Sequence, residues 1–327
     1  YALDGSTLFA AGYSSQAFAT TPTTLGGFSS FDGSSWAPVQ QAWTPDMQGL
    51  EGHATAAQQW HGALFVAGIF NFVGTGTNFL RSSGVARWDG PGWASVGVGG
   101  QHFGLEVWND SLGASVNGSA RVWNGSTWRT VSTNHAGSVV FDDFGNGLAV
   151  YQGDLYVLGP QSAAQNYLPL NGIGRWDGND WEPVGNGIGP SGWASVGTQW
   201  GSNLAIGGSF SSASGTPVRS LAYWDGSAYH DLGGGVNNEV YALLASGSDL
   251  LVGGEFTEAG VESVHAAARW DGANWHAMGT RARTINRFRS HGGMTYAAGA
   301  FLDDNGDVVG GVARWTGMEW QLLGSIS

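Results

Sequence analysis

The chain has 327 residues, 25 of them acidic and 12 basic, and a formal net charge of -13 with no cysteine. That acidity excludes a generic nucleic-acid binder, which needs a basic face for the phosphates. The missing thiols exclude disulfides and thiolate metal sites. No apolar run reaches the roughly 18 residues of a membrane-spanning helix, and the low charge, abundant Ser, Thr, Asn and Gly, and absence of Lys fit an extracellular or cell-surface protein.

One pattern recurs along the chain: an aromatic, Asp-Gly or a near variant, two free positions, then a second aromatic. Its seven copies open at Phe31, Trp88, Trp123, Trp176, Trp224, Trp270 and Trp315 and close at Trp36, Trp93, Trp128, Trp181, Tyr229, Trp275 and Trp320. An Asp-Gly pair between short apolar runs predicts a hairpin, because Gly accepts a positive φ and Asp bonds the turn's own backbone. Six copies follow an apolar strand that ends in Gly, such as Leu204 to Gly208 and Leu250 to Gly254. The third, Leu112 to Val116, has lost that Gly. Each unit is therefore expected to hold four strands, and seven units predict an all-β, seven-bladed β-propeller occupying residues 1–327 as one domain.

In chain order, the first unit covers residues 1–38 with a long Ser/Thr-rich loop from Tyr13 to Ser30, and residues 39–52 are irregular. Aligning Leu8 with Leu250 sets Tyr1 midway along a first strand, so residues are expected to be missing at one end. The second unit runs to Gly97 with a loop at Asn71 to Ser83. In the third, Val116-Asn117-Gly118-Ser119 reads as a direct two-residue hairpin. The fourth covers residues 131–184 and begins near Asp142-Asp143. The fifth and sixth, to Gly279, are the most regular, and the seventh opens with the Arg-rich run Thr280 to Ser290.

The diglycine strand ends Gly207-Gly208 and Gly253-Gly254, followed by a loop and paired aromatics around an acidic turn, resemble the kelch repeat over essentially the whole chain. The aromatics stand closer together than is usual there. The Asp-Gly-x-x-Trp turn is also similar to the Asp-box of sialidase propellers. Both resemblances imply a propeller, and neither implies a reaction. The galactose oxidase type of kelch enzyme uses a Tyr-Cys cofactor, which a chain without Cys cannot form.

Departures from the repeat supply the candidate site residues. Arg281, Arg283, Arg287 and Arg289 share one face if their strand is regular. They would grip a carboxylate or sulfate, or else pair with acids of neighbouring units. At the end of the first strand the units carry Asp4, Trp60, Trp108, Tyr151, Trp200, Ser246 and His291. The four large aromatics there are either platforms for a sugar or protein partner or packing between units. Asp303, Asn305 and Asp307 alternate oxygen side chains as at the start of a calcium loop, but lack the distal Glu of an EF-hand, so a plain solvated turn is the other reading. The repeated Asp32, Asp89, Asp177, Asp225 and Asp271 read as turn-capping groups, and the eight His show no metal-ligand spacing. Asn109, Asn117 and Asn124 stand in Asn-x-Ser sequons. The leading expectation is a non-catalytic propeller that binds a glycan or protein. The alternatives are an enzyme acting on an anionic polysaccharide and a structural subunit of an extracellular assembly.

Overall fold

The computed structural model describes residues 2–4, 7–11, 28–31, 36–38, 53–70, 72–75, 78–81, 84–89, 92–96, 102–116, 119–131, 147–159, 170–189 and 192–326. The expected loops at residues 13–27 and 39–52, the Asp142-Asp143 pair, Asp32 and Asn117 lie outside them. Among the described residues are seven four-stranded antiparallel sheets, each a meander in which successive strands pair. The fifth is typical: Trp193–Trp200, Asn203–Ser209, Leu221–Trp224 and Tyr229–Asp231. The first sheet opens with only Ala2–Asp4. In the third, Val116 pairs with Ser119, so two residues connect those strands as expected. Three small hairpins lie outside the main sheets, and one of them, Phe72–Thr75 with Asn78–Arg81, stands where a loop was expected. Among the described residues no helix is long and apolar enough to cross a membrane.

The chain divides into two compact units, residues 1–130 with 324–327, and residues 131–323. In the second unit the first strands of the fourth to seventh sheets, Gly147–Tyr151, Trp193–Trp200, Val240–Ser246 and Ala282–His291, lie side by side. Its core is layered. One apolar cluster fills each gap between adjacent sheets: Leu158, Ile173, Ile206 and Phe210 between the fourth and fifth, Leu232, Val240, Val252 and Phe256 between the fifth and sixth, and Ala267, Ile285, Phe288 and Trp320 between the sixth and seventh. Each fully buried Val, Leu, Ile or Phe contributes roughly 1.5–3 kcal/mol, so burial between sheets is the main force holding them together. The diglycines permit that approach. A Cβ on Gly253 would strike Ile285 of the next sheet, and one on Gly254 would lie on the carbonyl oxygen of Glu239 across its own sheet.

The repeated motif explains its own spacing. Its two aromatics are directly opposed across the third and fourth strands, as in Trp176↔Trp181, Trp224↔Tyr229 and Trp270↔Trp275, leaving a four-residue loop rather than a two-residue turn. The opposed rings lie 4.9–5.4 Å apart at tilted angles, a geometry worth about 0.5–1.5 kcal/mol beyond area burial. The Asp caps this loop. Asp271 Oδ1 accepts from the amides of Ala273 at 2.9 Å and Asn274 at 2.7 Å, and Asp177 and Asp225 do the same in their loops. The Gly that follows takes φ near +100°. The hydrogen bonds of the Ala228 amide, the Ser227 hydroxyl and His230 hold Asp225 well below the usual carboxylate range. His276, then the Asn274 and Ala273 amides, do the same for Asp271. This agrees with a capping role for these carboxylates.

The second aromatic also reaches the preceding sheet. Trp128 Nε1 donates to Val96 O (2.7 Å), Trp181 Nε1 to Val131 O (3.4 Å), Tyr229 Oη to Val184 O (3.0 Å), Trp275 Nε1 to Gly233 O (3.0 Å) and Trp320 Nε1 to Met278 O (2.9 Å). The acceptor stands three or four residues beyond the preceding copy's second aromatic. Polar atoms of otherwise buried rings are thereby satisfied.

Candidate functional site

Seven of the predicted positions do end their first strands and pair across the turn, as in Trp60↔Ala63, Tyr151↔Asp154 and His291↔Met294. The platform reading for the aromatics among them is corrected by burial: Trp60, Trp108 and Tyr151 are 7%, 6% and 1% exposed. Tyr151 Oη donates to Ser202 O at 2.7 Å and the half-buried Trp200 donates through Nε1 to Ser248 O at 2.7 Å, each in the corresponding turn of the next sheet. Trp60 stacks on His61, whose ring is 2.7 Å from Asp110 in the following turn. Tyr151 and Trp200 thereby join adjacent sheets, and the buried Trp60, Trp108 and Tyr151 are not open platforms, whereas Trp200 stays partly exposed. His291 is half-buried at the same strand end.

The Arg run does not share one face. Two β-bulges, between Ala282 and Thr284 and between Ile285 and Arg287, break the period of two, so Ala282, Ile285 and Phe288 turn into the core. Arg287 and Arg289 pair with Ala298 and Tyr296 and remain on one face, whereas Arg283 is the extra residue of the first bulge. Arg281 donates to Asp304 at 2.6 Å and to Leu302 O at 3.0 Å, so its acid partner lies in the turn after the second strand of its own sheet. Arg283 donates to the carbonyls of Thr280 and Ala282, both at 2.9 Å.

Asp303, Asn305 and Asp307 form a self-capped turn. Asp303 Oδ1 accepts from the amides of Asn305 (2.8 Å) and Asp307 (2.9 Å), which pull the Asp303 carboxyl down. Among the described residues no group of three or more His, Asp or Glu is placed to hold a metal ion.

What the second unit does bring together is a cluster at the starts of the first strands of its fifth to seventh sheets. Bulges recur here, between Ala194 and Val196 and between Val240 and Ala242. Such irregularities re-aim side chains next to sites. Ser195 Oγ donates to Val240 O at 2.7 Å, and Arg287 Nη1 donates from the other side to Tyr241 O at 3.0 Å. Around this frame Trp193 Nε1 donates to Glu239 Oε1 at 3.1 Å, and Tyr241 Oη to Glu239 Oε2 at 3.4 Å. Glu255 is tied in through its amide, which donates to Glu239 O at 3.1 Å. Trp193 is 40% exposed, the one Trp among the exposed large hydrophobics of the described residues.

The electrostatics follow from the packing. Burial, then the charges of Glu239 and Glu255, push the Tyr241 phenol up to about 12, so it is a proton donor and not a base at neutral pH. Arg287 keeps area accessible to water although protein surrounds it. That crowding, together with the Arg289 charge, draws its pKa below the ordinary guanidinium value. An exposed indole, two carboxylates, a phenol and a guanidinium offer a stacking surface with acceptors and donors around it. The sequence flagged Arg287 but missed Trp193, Glu239, Tyr241 and Glu255. Comparing repeats would have found one: Trp193 stands where the next two units carry Glu239 and Thr284 before their core residues Val240 and Ile285.

No known protein family and no curated protein matches this chain. Solved structures match in fold. The extracellular domain of BT4673 from B. thetaiotaomicron, described in one structure as a hybrid two-component system and in another as a one-component system, gives TM-scores of 0.56 and 0.57 at 11% identity. Those matches cover 88% and 94% of this chain but only 37% and 44% of the longer ones. The computationally designed Ika8 protein matches with a TM-score of 0.52 and 11% identity over 97% of this chain and 95% of its own. The shared fold is a β-propeller of four-stranded antiparallel blades.

Proposed function

We propose that this protein is a non-catalytic, extracellular or surface-displayed propeller that binds a glycan at the Trp193 cluster. The observation that carries the reading is the exposed Trp193 indole, held in place by its bond to Glu239 beside Tyr241, Glu255 and Arg287. A fixed aromatic plate stacks on the apolar face of a sugar ring, while carboxylates and a guanidinium take its hydroxyls. The extracellular neighbours support the location only through fold. In this reading the seven sheets are the kelch-like blades of one domain, and calorimetry should then give one cooperative transition.

The test is a glycan array read with the wild-type chain and with Trp193→Ala. Binding to at least one glycan, weakened about tenfold or more in Trp193→Ala, about 1.4 kcal/mol, is the expected result. A blank array, or binding that Trp193→Ala leaves intact, refutes it. Degradation of an anionic polysaccharide in a parallel assay would instead favour the enzymatic alternative, with Arg287 beside Tyr241.

A further inference from the structure

A cavity of about 460 Å³ opens beside the motif of the sixth sheet, walled by Trp270, Gly233, Gly234, Gly260 and Arg219 and edged by Glu262 and Asn274. Its volume lies within the range of small-ligand sites, roughly 300–1,000 Å³. The preceding sheet contains the same backbone niche, which allows a residue-by-residue comparison. Isolated bridges join Ile188 to Ala213 and Val236 to Ala259. The Ser214 amide donates to Gly187 O at 2.8 Å and the Gly260 amide to Gly235 O at 2.7 Å, while the Ile188 and Val236 amides donate to the carbonyls of Asn171 and Arg219. Ser214 thus corresponds to Gly260, Asn186 to Gly234, and Asn171 to Arg219.

The earlier niche is closed by side chains. Ser214 Oγ accepts from the Asn186 amide at 2.7 Å, and Asn171 Nδ2 donates to Asn186 O at 3.0 Å. In the later niche Gly260 and Gly234 carry no side chain, and the longer Arg219 reaches out to Glu258 at 3.2 Å. On the rim, Glu262 stands where the earlier niche has Thr216, and Asn274 where it has Ala228. Val261, 98% exposed at the hairpin tip, replaces Gly215. The frame is kept while its filling is removed and polar groups are added at the edge. The positive φ of Gly234 and Gly260 accounts for the two glycines, whereas packing gives no reason for the polar rim of Glu262 and Asn274 beside the space they leave.

We infer that this cavity is a second ligand site, taking one pyranose ring of a glycan against Trp270, with Arg219, Asn274 and Glu262 hydrogen-bonding its hydroxyls. It is separate from the Trp193 cluster in residues and stands or falls without it.

The experiment follows the backbone and indole N–H resonances of the intact chain while glucose, galactose and N-acetylglucosamine are titrated in turn. The expected result is saturable shifts at Trp270, Gly234 and Gly260 with at least one sugar, weakened about tenfold in Asn274→Ala and Gly234→Asn and unchanged in Trp193→Ala. Asn274→Ala removes an exposed amide and keeps the backbone bond to Asp271, so it tests the site without unfolding it. A Cβ on Gly234 meets only Gly260 Cα at 3.5 Å, so Asn refills the space, at the cost of some backbone strain because Gly234 has φ +81°; Asn274→Ala carries no such strain and is the cleaner variant. Absence of saturable shifts with all three sugars, or full binding by both cavity variants, overturns the inference. Loss of binding in Trp193→Ala alone assigns the sugar to the other cluster and overturns it equally.

Discussion

Tyr229→Phe isolates the bond between adjacent sheets, because it deletes one hydroxyl and leaves the ring in place. Tyr229 Oη donates to Val184 O at 3.0 Å, and the two residues are 4% and 3% exposed, so water cannot replace the lost donor. Burial, then the nearby Tyr156, push the Tyr229 phenol well above its ordinary value, so it is protonated and donating at any working pH. Removing a net contribution of about 0.5–1.5 kcal/mol and orphaning a buried carbonyl predicts a loss of roughly 1–3 kcal/mol. No cavity penalty is added, in contrast to the 3–5 kcal/mol typical of aromatic-to-Ala changes. Tyr151→Phe is the control: its acceptor, Ser202 O, sits in an exposed turn where water can take over, so its loss should stay below about 1 kcal/mol. Urea unfolding followed by Trp fluorescence reads both, and thermal melts should order the same way. A Tyr229→Phe protein within about 0.5 kcal/mol of wild type, or a larger loss in Tyr151→Phe, would refute the claim that the fourth-strand rings hold neighbouring sheets together.

Three further outcomes follow from the packing. Gly254→Ala sets a Cβ on the Glu239 carbonyl and should lose about 3 kcal/mol or more, whereas Gly272→Ala meets open space and only a strained φ of +100°, losing about 1 kcal/mol in the same unfolding assay. Asp271 has a folded pKa below its ordinary 3.8, so its stabilisation is complete above that value and drains away as pH falls through the folded one. Asp271→Asn, which Asn124 shows can cap the same loop with an amide, should flatten that acid limb when melting temperature is followed from pH 5 to pH 2. The Tyr241 phenol should ionise near pH 12 in an ultraviolet titration, together with Tyr156, and Tyr241→Phe should lower that step by one phenol; loss of a phenol ionising near 10 instead would contradict the burial described.

The repeated motif could be read from the sequence because its determinants are local. The opposed rings are five residues apart, and their loop is capped by an Asp two and three residues from the amides it holds. The bonds between sheets could not, since Trp275 and Gly233 are 42 residues apart and nothing in either one's neighbours names the other. Trp60, Trp108 and Tyr151 were located to the residue but left open between platform and packing, because whether a strand-end ring meets solvent depends on the turn of the next sheet. The bulges on the first strands were likewise hidden. Each adds a residue without a distinctive side chain, and one such addition reverses which face a run like Arg281 to Arg289 presents. The cavity at Gly234 and Gly260 was legible in principle, but only once the two isolated bridges supplied the alignment of the loops.

The back-reaching rings have an orientation in time. In all five cases seen, the donor belongs to a segment made later than the segment bearing the acceptor. A newly emerged stretch at the ribosome therefore follows its docking carbonyl out, so these bonds can close in the order of synthesis, whereas those of Tyr151 and Trp200 must wait for the sheet that comes after.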